Sequence, residues 1–528
     1  MRIKLAARAV GNLLRPEDVP PRLCPWDTIA FTGRFMKEPA EQSPDPSVRR
    51  PATAPLTIFP WERLRKLASL LRLKPFETST ESGRSLERYR RIALTTASGM
   101  VIRVFSSLLG LISVPLVLSY LGKERYGLWA TITAVVAWAS LFDLGLANGL
   151  VNLLSAAHGR DDKAEAQRHL STAFAALVLM AAALSIVFLL GIGIVPWGKV
   201  IGARGVADES TIRWSIAASL LLFVVSLPFS GTAQVYAAYQ RSYLLNGFVF
   251  GSAVLGFALL LLALRLHVTM PLLILMYGIG GPVCGAMAFL YATRKIMPWL
   301  RPRIRSISRQ HLRALFSLSL PIFLFQIGAL AVNNTQAIML AHRCDMSVVA
   351  SYSIAMRVYL LVITVVQIGT NSFVPALREA YERGDHDWTR RAFTRLVRLR
   401  LAITMGAGCA VILVGDTFLR LWLRRTDIAF GREVWAAMTL LLVAAVWSTC
   451  YSELLSIMDR LWLNVAAVLC NGTMNLLLTY WLSHRHQVLG ALLAFGLPSL
   501  LVAIVLRVYG RRVLAGDGRA PGASTVPG

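Results

Sequence analysis

The chain has 528 residues, of which 55% are apolar and only 16% are charged, and its mean hydropathy is +0.57. A soluble protein has about 25% charged residues, so the composition excludes an ordinary soluble enzyme and predicts a protein that lies mostly in lipid. The net charge of +27 raises nucleic-acid binding as a function, but the basic residues fall between apolar segments instead of on a soluble face.

The first 92 residues differ in composition from the rest of the chain. Residues 1–92 contain repeated prolines and lack both a long apolar run and the core of a signal peptide. We predict a basic, largely disordered cytoplasmic tail. Residues 60–76 place Trp61, Leu64 and Leu67 on one helical face, which fits an amphipathic helix on an anionic leaflet. The alternative is a charged stretch that never orders.

Apolar blocks recur from residue 93 onward, separated by short polar links. A membrane-spanning helix needs about 20 mostly apolar residues, and about twelve blocks reach that length. We therefore predict an all-α integral membrane protein with about twelve transmembrane helices. The predicted spans are 94–120, 126–150, 171–195, 213–238, 246–265, 270–292, 314–341, 347–375, 397–414, 434–456, 462–483 and 488–508.

Basic residues concentrate in two of the links. Residues 292–313 and 376–400 each carry seven Lys or Arg residues and follow the sixth and eighth spans. Short loops rich in Lys and Arg stay in the cytoplasm, which predicts that both termini are cytoplasmic if the chain has twelve spans. The link 415–433 conflicts with this topology, because it carries four arginines and is expected on the other side.

Two sequence echoes indicate an internal repeat. NGLVNLLSAAH from Asn148 matches NSFVPALREAY from Asn371, and YQRSYLLN matches MDRLWLN with Arg241 opposite Arg460. Both echoes are about 220 residues apart, although chance similarity among apolar helices is the alternative. We interpret Arg241 and Arg460 as interfacial anchors.

The repeat predicts two six-helix lobes that share one orientation. The predicted domains are a tail at 1–92, an N-terminal lobe at 93–295, a basic cytoplasmic linker at 296–312, a C-terminal lobe at 313–510 and a cytoplasmic tail at 511–528.

Several motifs resemble a known family. YLG at Tyr120–Gly122, YGLW at Tyr126–Trp129 and DLG at Asp143–Gly145, followed by a charged segment at Gly159–Arg168, are similar to the first helical hairpin of bacterial polysaccharide flippases. These proteins export O-antigen or other lipid-linked oligosaccharides and belong to the multidrug/oligosaccharidyl-lipid/polysaccharide (MOP) superfamily. NNTQAIMLAHRCDMSVVASYSIAMRVY resembles their seventh and eighth helices, except that Gln336 stands where an acidic residue is often found.

The resemblance covers residues 88–512 and implies a function. It implies two lobes that open alternately and move an undecaprenyl-diphosphate-linked oligosaccharide to the periplasmic leaflet for exopolysaccharide assembly. Membrane lipids would surround the protein, and a polysaccharide polymerase is a candidate partner. A sugar diphosphate cannot cross hydrocarbon unaided, because each unpaired polar group costs several kcal/mol.

Charged residues inside spans are the first candidates for the site. They are costly in lipid, so they face protein or water. Arg103 and Arg357 are candidate contacts for the diphosphate, and an ion pair with Asp143 is the alternative for Arg103. For Asp143 we favour orienting Arg103 or bracing the first two spans over ion coupling. Glu453 is a structural or ion-coupling candidate.

Polar residues of the seventh span are the second set. Gln326, Asn333 and Gln336 are spaced seven and three residues apart and therefore share a helical face. Such a face suits sugar hydroxyls, and interhelical hydrogen bonding is an equally ordinary use.

Two other functions fit a helical membrane protein. A cation-coupled multidrug exporter would have the same fold but more buried acidic residues, and a membrane polymerase or glycosyltransferase would need clustered catalytic carboxylates. The sequence lacks a CxxC motif and a phosphate-binding GxxxxGK[ST] loop. We therefore predict no catalytic residues, metal, cofactor or nucleic-acid partner.

Overall fold

The computed structural model describes residue 77 and residues 81–203, 205–370, 373–424, 428 and 430–514. Contacts divide the chain into residues 1–63 and residues 64–528, and the first unit lies outside the described residues, as do the amphipathic helix predicted at 60–76 and residues 515–528.

Within the described residues every regular element is helical. The long helices are α1 (Glu81–Leu121), α2 (Lys123–Ala139), α3 (Leu146–Gly159), α4 (Lys163–Ile194), α5 (Glu209–Ser226), α6 (Thr232–Ala238), α7 (Ser242–Arg265), α8 (Met270–Gly278), α9 (Gly280–Tyr291), α10 (Arg309–Arg343), α11 (Met346–Thr370), α12 (Phe373–Glu382), α13 (His386–Leu423), α14 (Arg432–Ile457) and α15 (Leu461–Leu514). Single turns of helix lie at Ser140–Asp143, Trp197–Val200, Leu227–Phe229, Ala292–Ile296, Pro298–Leu300 and Ile304–Ser306.

The number of membrane passes follows from these helices. Ten are long and apolar enough to cross a membrane, and Lys123–Asp143 with Leu146–Gly159 forms an eleventh span bent by 42°. α15 is a hairpin, because its backbone reverses at Gln487 (φ 44°, ψ −119°) and Asn471 on one arm donates a hydrogen bond to Ser499 on the other at 3.2 Å. Counting both arms gives twelve passes in the described chain, and the predicted all-helical membrane fold is confirmed.

The bend in the second span lies at its DLG motif. Leu144 and Gly145 both have left-handed backbone conformations, with φ of 50° and 69°. Asp143 Oδ1 accepts a hydrogen bond from the Gly145 amide at 2.8 Å, which is the short-range turn that aspartate favours. A side chain at Gly145 or Gly149 would meet Ser319 of α10, so the motif combines a turn with close helix packing.

Helix boundaries differ from the predicted spans at three places. α1 begins at Glu81 and α15 continues to Leu514, which extends structure into both predicted tails. α13 has 38 residues, far more than the predicted 397–414, because its charged ends lower the hydropathy without interrupting its backbone hydrogen bonds. The link predicted at 415–433 is therefore mostly helical, and Asp416 holds the short loop by accepting hydrogen bonds from Phe430 N (3.0 Å) and Trp435 Nε1 (2.9 Å).

Consecutive spans alternate in direction, which defines two ends of the molecule. We call the end with connections 160–162, 239–241, 292–308 and 371–385 the basic end, since both Lys- and Arg-rich links lie there. The opposite end contains the connections 195–208, 344–345 and 424–431. The described arginines of the conflicting link, Arg420, Arg424 and Arg432, thus lie at the opposite end, as the twelve-span topology requires.

The two halves of the chain meet closely near the opposite end. Gly127 of α2 lies so close to the Met346 carbonyl that a side chain there would collide with it, and Gly202 approaches Ala341 in the same way. Trp422 Nε1 of α13 donates a hydrogen bond to the Leu111 carbonyl of α1 at 2.9 Å. At the basic end, the first turns of α10 lie against α4 of the first half, where the rings of His169 and His311 are 4.7 Å apart.

Candidate functional site

A cavity of 580 Å³ lies between the two halves. Five spans and the paired helices α8 and α9 contribute to it, and the contact of Gly127 with Met346 lies next to it at the opposite end. Hydroxyl, amide, aromatic and apolar groups alternate along its wall. Its polar and aromatic lining residues are Ser113, Tyr126, Trp129, Thr133, Ser219, Phe223, Ser226, Tyr277, Asn333, Asn334, Tyr352, Ser353 and Arg357.

Aromatic rings form one wall of the cavity. Tyr126 and Trp129 of α2 have ring centroids 6.1 Å apart, and Trp129 meets Tyr277 of α8 edge to face at 5.7 Å. The buried Tyr352 hydroxyl of α11 also lines the cavity and has no hydrogen-bond partner among the described residues. The sequence prediction did not include these residues as site candidates, although Tyr126 and Trp129 belong to the quoted YGLW motif.

Arg357 supplies the positive charge of the cavity. It is exposed in the cavity and interacts with the Tyr126 hydroxyl across the boundary between the halves. Among the lining residues that the structure describes, Arg357 is the one with a full charge. The structure thus brings Arg357 to the cavity that the sequence prediction required.

Of the three polar residues predicted to share a face of α10, only Asn333 lines the cavity. Asn333 lies beside Asn334, and its side-chain amide donates to the Ala329 carbonyl at 2.7 Å. Gln336 is only 1% exposed and donates to Asn475 Oδ1 of α15 at 2.6 Å. Gln326 lies 3.5 Å from Ser140 at the bend of the second span. The cavity prediction is wrong for Gln336, because α15 covers it, and the half-buried Gln326 is not among the described lining residues of the cavity.

The predicted ion pair of Arg103 with Asp143 is also wrong. Asp143 is buried and bonded to the Gly145 amide, while Arg103 is exposed on α1 and is not a lining residue of the cavity. Arg103 precedes Gly110 by seven residues, so it lies on the same face of α1 about 10 Å closer to the basic end. Its role as a cargo contact stays a prediction.

Glu453 forms an ion pair with an arginine that the sequence prediction assigned to a connecting link. Arg400 was counted among the charges of the 376–400 link, but its side chain is only 3% exposed and its Nη1 lies 2.6 Å from Glu453 Oε2. Arg400 Nε also donates to Thr370 Oγ1 at 2.9 Å. The pair joins α11, α13 and α14. No group of three His, Cys, Asp or Glu residues in the described parts of the chain is arranged to hold a metal ion.

A sequence family matches the part of the chain that builds the cavity. The family described as polysaccharide biosynthesis protein matches residues 94–381, which include every cavity-lining helix of both halves. The chain belongs to this family. In this polysaccharide biosynthesis protein the matched region also includes Arg103, Asp143 and Arg357, whereas Glu453 and its partner Arg400 lie beyond it.

A curated relative is uncharacterised. The membrane protein EpsK of Bacillus subtilis (strain 168) is 22% identical over 312 residues, which cover 58% of this chain and 61% of EpsK. The match therefore spans less than two thirds of the relative.

Solved transporter structures share the fold of this polysaccharide biosynthesis protein. An inward-facing multidrug resistance MATE family transporter of the MOP superfamily aligns with a TM-score of 0.66 at 14% identity, covering 80% of this chain and all (100%) of that one. The lipid II flippase MurJ in an inward closed conformation aligns with a TM-score of 0.59 at 14% identity, covering 78% and 87%. An outward-facing MATE structure aligns at 0.58 with 14% identity, covering 82% and 97%. The family match and the candidate spans together show a multi-pass membrane protein of the polysaccharide biosynthesis family, with a fold shared by these transporters.

Proposed function

We propose that this protein flips undecaprenyl-diphosphate-linked oligosaccharides from the cytoplasmic to the periplasmic leaflet of a bacterial inner membrane, for the assembly of surface polysaccharide. The observation that carries the proposal is the composition of the cavity. A single arginine lies among hydroxyl, amide and aromatic groups between two halves of a transporter fold.

The lining matches the chemistry of this cargo. Guanidinium groups bind phosphate oxygens by charge-assisted hydrogen bonds, so Arg357 suits the diphosphate. Asn333 and Asn334 can both donate to and accept from sugar hydroxyls. The apolar faces of Trp129 and Tyr277 suit the C–H face of a sugar ring, since aromatic rings combine apolar surface with a polar edge.

The conformation suits loading from the cytoplasm. The Lys- and Arg-rich links place the basic end in the cytoplasm by the positive-inside rule, and the contacts of Gly127 and Trp422 close the molecule near the opposite end. The higher TM-score with the inward-facing than with the outward-facing MATE transporter, 0.66 against 0.58, agrees with this assignment. Arg103 then lies on the cytoplasmic approach to the cavity.

Energy from an ion gradient or from consumption of the exported units would drive the cycle, and a polysaccharide polymerase is the proposed consumer. A multidrug exporter is the second candidate, because the cavity is also partly apolar. The positive Arg357 and the lack of an acidic residue among the described lining residues favour an anionic cargo over a cationic drug.

Substitution of Arg357 tests the proposal. In a strain that depends on this gene, Arg357→Ala should reduce surface polysaccharide at least tenfold and cause lipid-linked oligosaccharide to accumulate, because a charge-assisted contact is worth about 1.5–3 kcal/mol. Arg357→Lys should retain part of the export. Arg265→Ala is the control, since Arg265 is exposed at the far end of α7. Normal export by a normally inserted Arg357→Ala protein, combined with altered drug resistance, would support the exporter instead.

A further inference from the structure

A second cavity, of 230 Å³, lies at the basic end of the first half. We call it the corner pocket. It forms where the α3–α4 connection, the α6–α7 connection and the segment after α9 meet the start of α1. It is separate from the central cavity, and the proposed transport function assigns no role to it.

Three cationic side chains line the corner pocket: Arg91, Lys163 and Arg241. Arg91 is bonded to Glu87 at 2.9 Å, whereas Arg241 forms no ion pair with any described residue. Burial and the nearby Arg91 lower the pKa of Arg241, against a smaller opposite effect of Tyr243 and Glu87, so the guanidinium is a half-buried cation beside a second cation. An anion in the pocket would supply the missing charge.

The acidic residues of the pocket supply only part of that negative charge, because two carboxylates, Asp161 and Asp162, face three cations. Asp162 caps α4 by accepting a hydrogen bond from the Glu165 amide at 2.8 Å, and this bond lowers the pKa of Asp162. Asp161 lies in the same turn with a left-handed backbone (φ 54°) and points a second carboxylate at the rim. His158, the remaining titratable side chain besides Tyr239, lies against the Tyr239 ring, with the two ring centroids 4.5 Å apart.

Two helix starts add to the positive potential. Lys163 is the first residue of the 32-residue α4, and Arg241 directly precedes the 24-residue α7 without capping it by a side-chain hydrogen bond. The start of a helix carries a partial positive charge that favours anions. Asp162 offsets this charge at the start of α4, whereas α7 has no acidic residue in its first turn and no side-chain cap.

The uncharged wall limits the size and kind of ligand. Trp299 lies under the Lys163 ammonium, 5.5 Å from ring centroid to nitrogen, and its ring is 6.4 Å from that of Tyr239. The volume corresponds to about eight water molecules at roughly 30 Å³ each. That is room for a phosphate group and part of the group esterified to it, with apolar atoms against Trp299.

We propose that the corner pocket binds a phosphate ester between Arg241, Lys163 and Arg91 at the cytoplasmic membrane surface. A bound phosphate ties three connections of the first half together at their basic end. The phosphate has two sources, the headgroup of an anionic inner-leaflet lipid or a soluble phosphate, and the same three cations serve either.

The test measures binding by the full-length protein in a neutral detergent. Short-chain phosphatidylglycerol, short-chain phosphatidylcholine and sodium phosphate are titrated separately, with native mass spectrometry counting bound lipid and the Tm reporting phosphate. One phosphatidylglycerol should remain bound in preference to phosphatidylcholine. Arg241→Gln and Lys163→Gln should each weaken this binding about fivefold, the usual effect of one cation near an anionic surface.

Arg460→Gln is the matched control. Arg460 precedes α15 as Arg241 precedes α7, but it does not line a described pocket. Binding of phosphatidylglycerol alone identifies the lipid source, and a Tm rise with sodium phosphate that depends on Arg241 identifies the soluble one. The proposal is overturned if neither ligand binds, if phosphatidylcholine binds equally, or if Arg460→Gln weakens binding as much as Arg241→Gln. These results are independent of whether the protein transports oligosaccharides.

Discussion

Arg357 and Arg400 show how neighbouring structure gives one residue type two roles. Arg357 is exposed in a water-accessible cavity with no carboxylate among its lining residues, while Arg400 is buried against Glu453 and Thr370. The first can bind a mobile anion, and the second holds three helices together. Both arginines are flanked by apolar residues in the sequence, so the difference comes from the neighbouring helices.

The Arg400–Glu453 pair predicts a marked loss of stability. Glu453→Gln should lower the free energy of unfolding by about 3 kcal/mol, because it leaves a buried guanidinium without a counter-charge. The change is measured by the Tm and by resistance to denaturant in detergent.

The matched control for this pair is exposed. Glu382→Gln removes one of the two carboxylate partners of Arg378, whose side chain is 51% exposed, and should cost less than about 0.5 kcal/mol. Equal losses for Glu453→Gln and Glu382→Gln would show that the buried pair contributes no more than a surface pair.

The second span shows why the elements depart from straight helices. Its hydrophobicity predicted one span at 126–150, but Asp143, Leu144 and Gly145 form a turn that splits it into α2 and α3. The turn lets α3 lie against α10 at Gly149 and Ser319. A composition average cannot register such a turn, because only three residues change conformation.

This contact makes a specific prediction for α3. Gly149→Ala should destabilise the protein by about 1–3 kcal/mol, since the new methyl group collides with the Ser319 hydroxyl and overpacks the contact. Ser319→Ala in the same chain should restore most of the loss, because it removes the colliding atom.

The control for Gly149→Ala is the same substitution at Gly159, and the Tm of both variants is measured by thermal unfolding. Gly159 lies in the last turn of α3 with open space around it, so Gly159→Ala should be neutral or slightly stabilising. A Gly149→Ala protein with unchanged Tm, or a double variant no more stable than the single one, would contradict the packing argument.

The molecule as a whole is closed where its halves meet at the opposite end. The close approach of Gly127 to Met346 and of Gly202 to Ala341 requires residues without side chains at those points. Interfaces of this kind have two discrete arrangements instead of a continuous range, so they suit a protein that alternates between two open states.

A larger residue at position 127 should therefore shift the conformational balance. Gly127→Val overpacks the contact by about 1–3 kcal/mol, which favours the state open at the opposite end by about fivefold or more. In a chain without its six native cysteines, Thr133→Cys in the cavity should then react faster with an impermeant maleimide added from outside. Unchanged labelling would show that this contact does not control access, and Gly251→Val is the control, because Gly251 of α7 has open space around it and is not a lining residue of the cavity.

The sequence by itself determined the membrane fold, the number of passes and the position of both basic links at the same end of the molecule. These properties depend on hydropathy and charge summed over whole segments. Such sums are the same however the side chains pack. The sequence also indicated Arg357 and Asn333 as candidates for the cavity wall, because polar side chains within a membrane-spanning helix need a polar environment.

Only the tertiary structure decided which polar residues share that environment. Gln336 and Asn333 lie on the same helical face, yet Gln336 is covered by Asn475 from a helix more than a hundred residues away in the sequence. The sequence predicted that Arg400 lies in a connecting link, but in the structure it is buried and pairs with Glu453 of α14. Contacts between distant helices depend on the shape and close packing of their side chains, and these are not contained in the periodicity of any single segment.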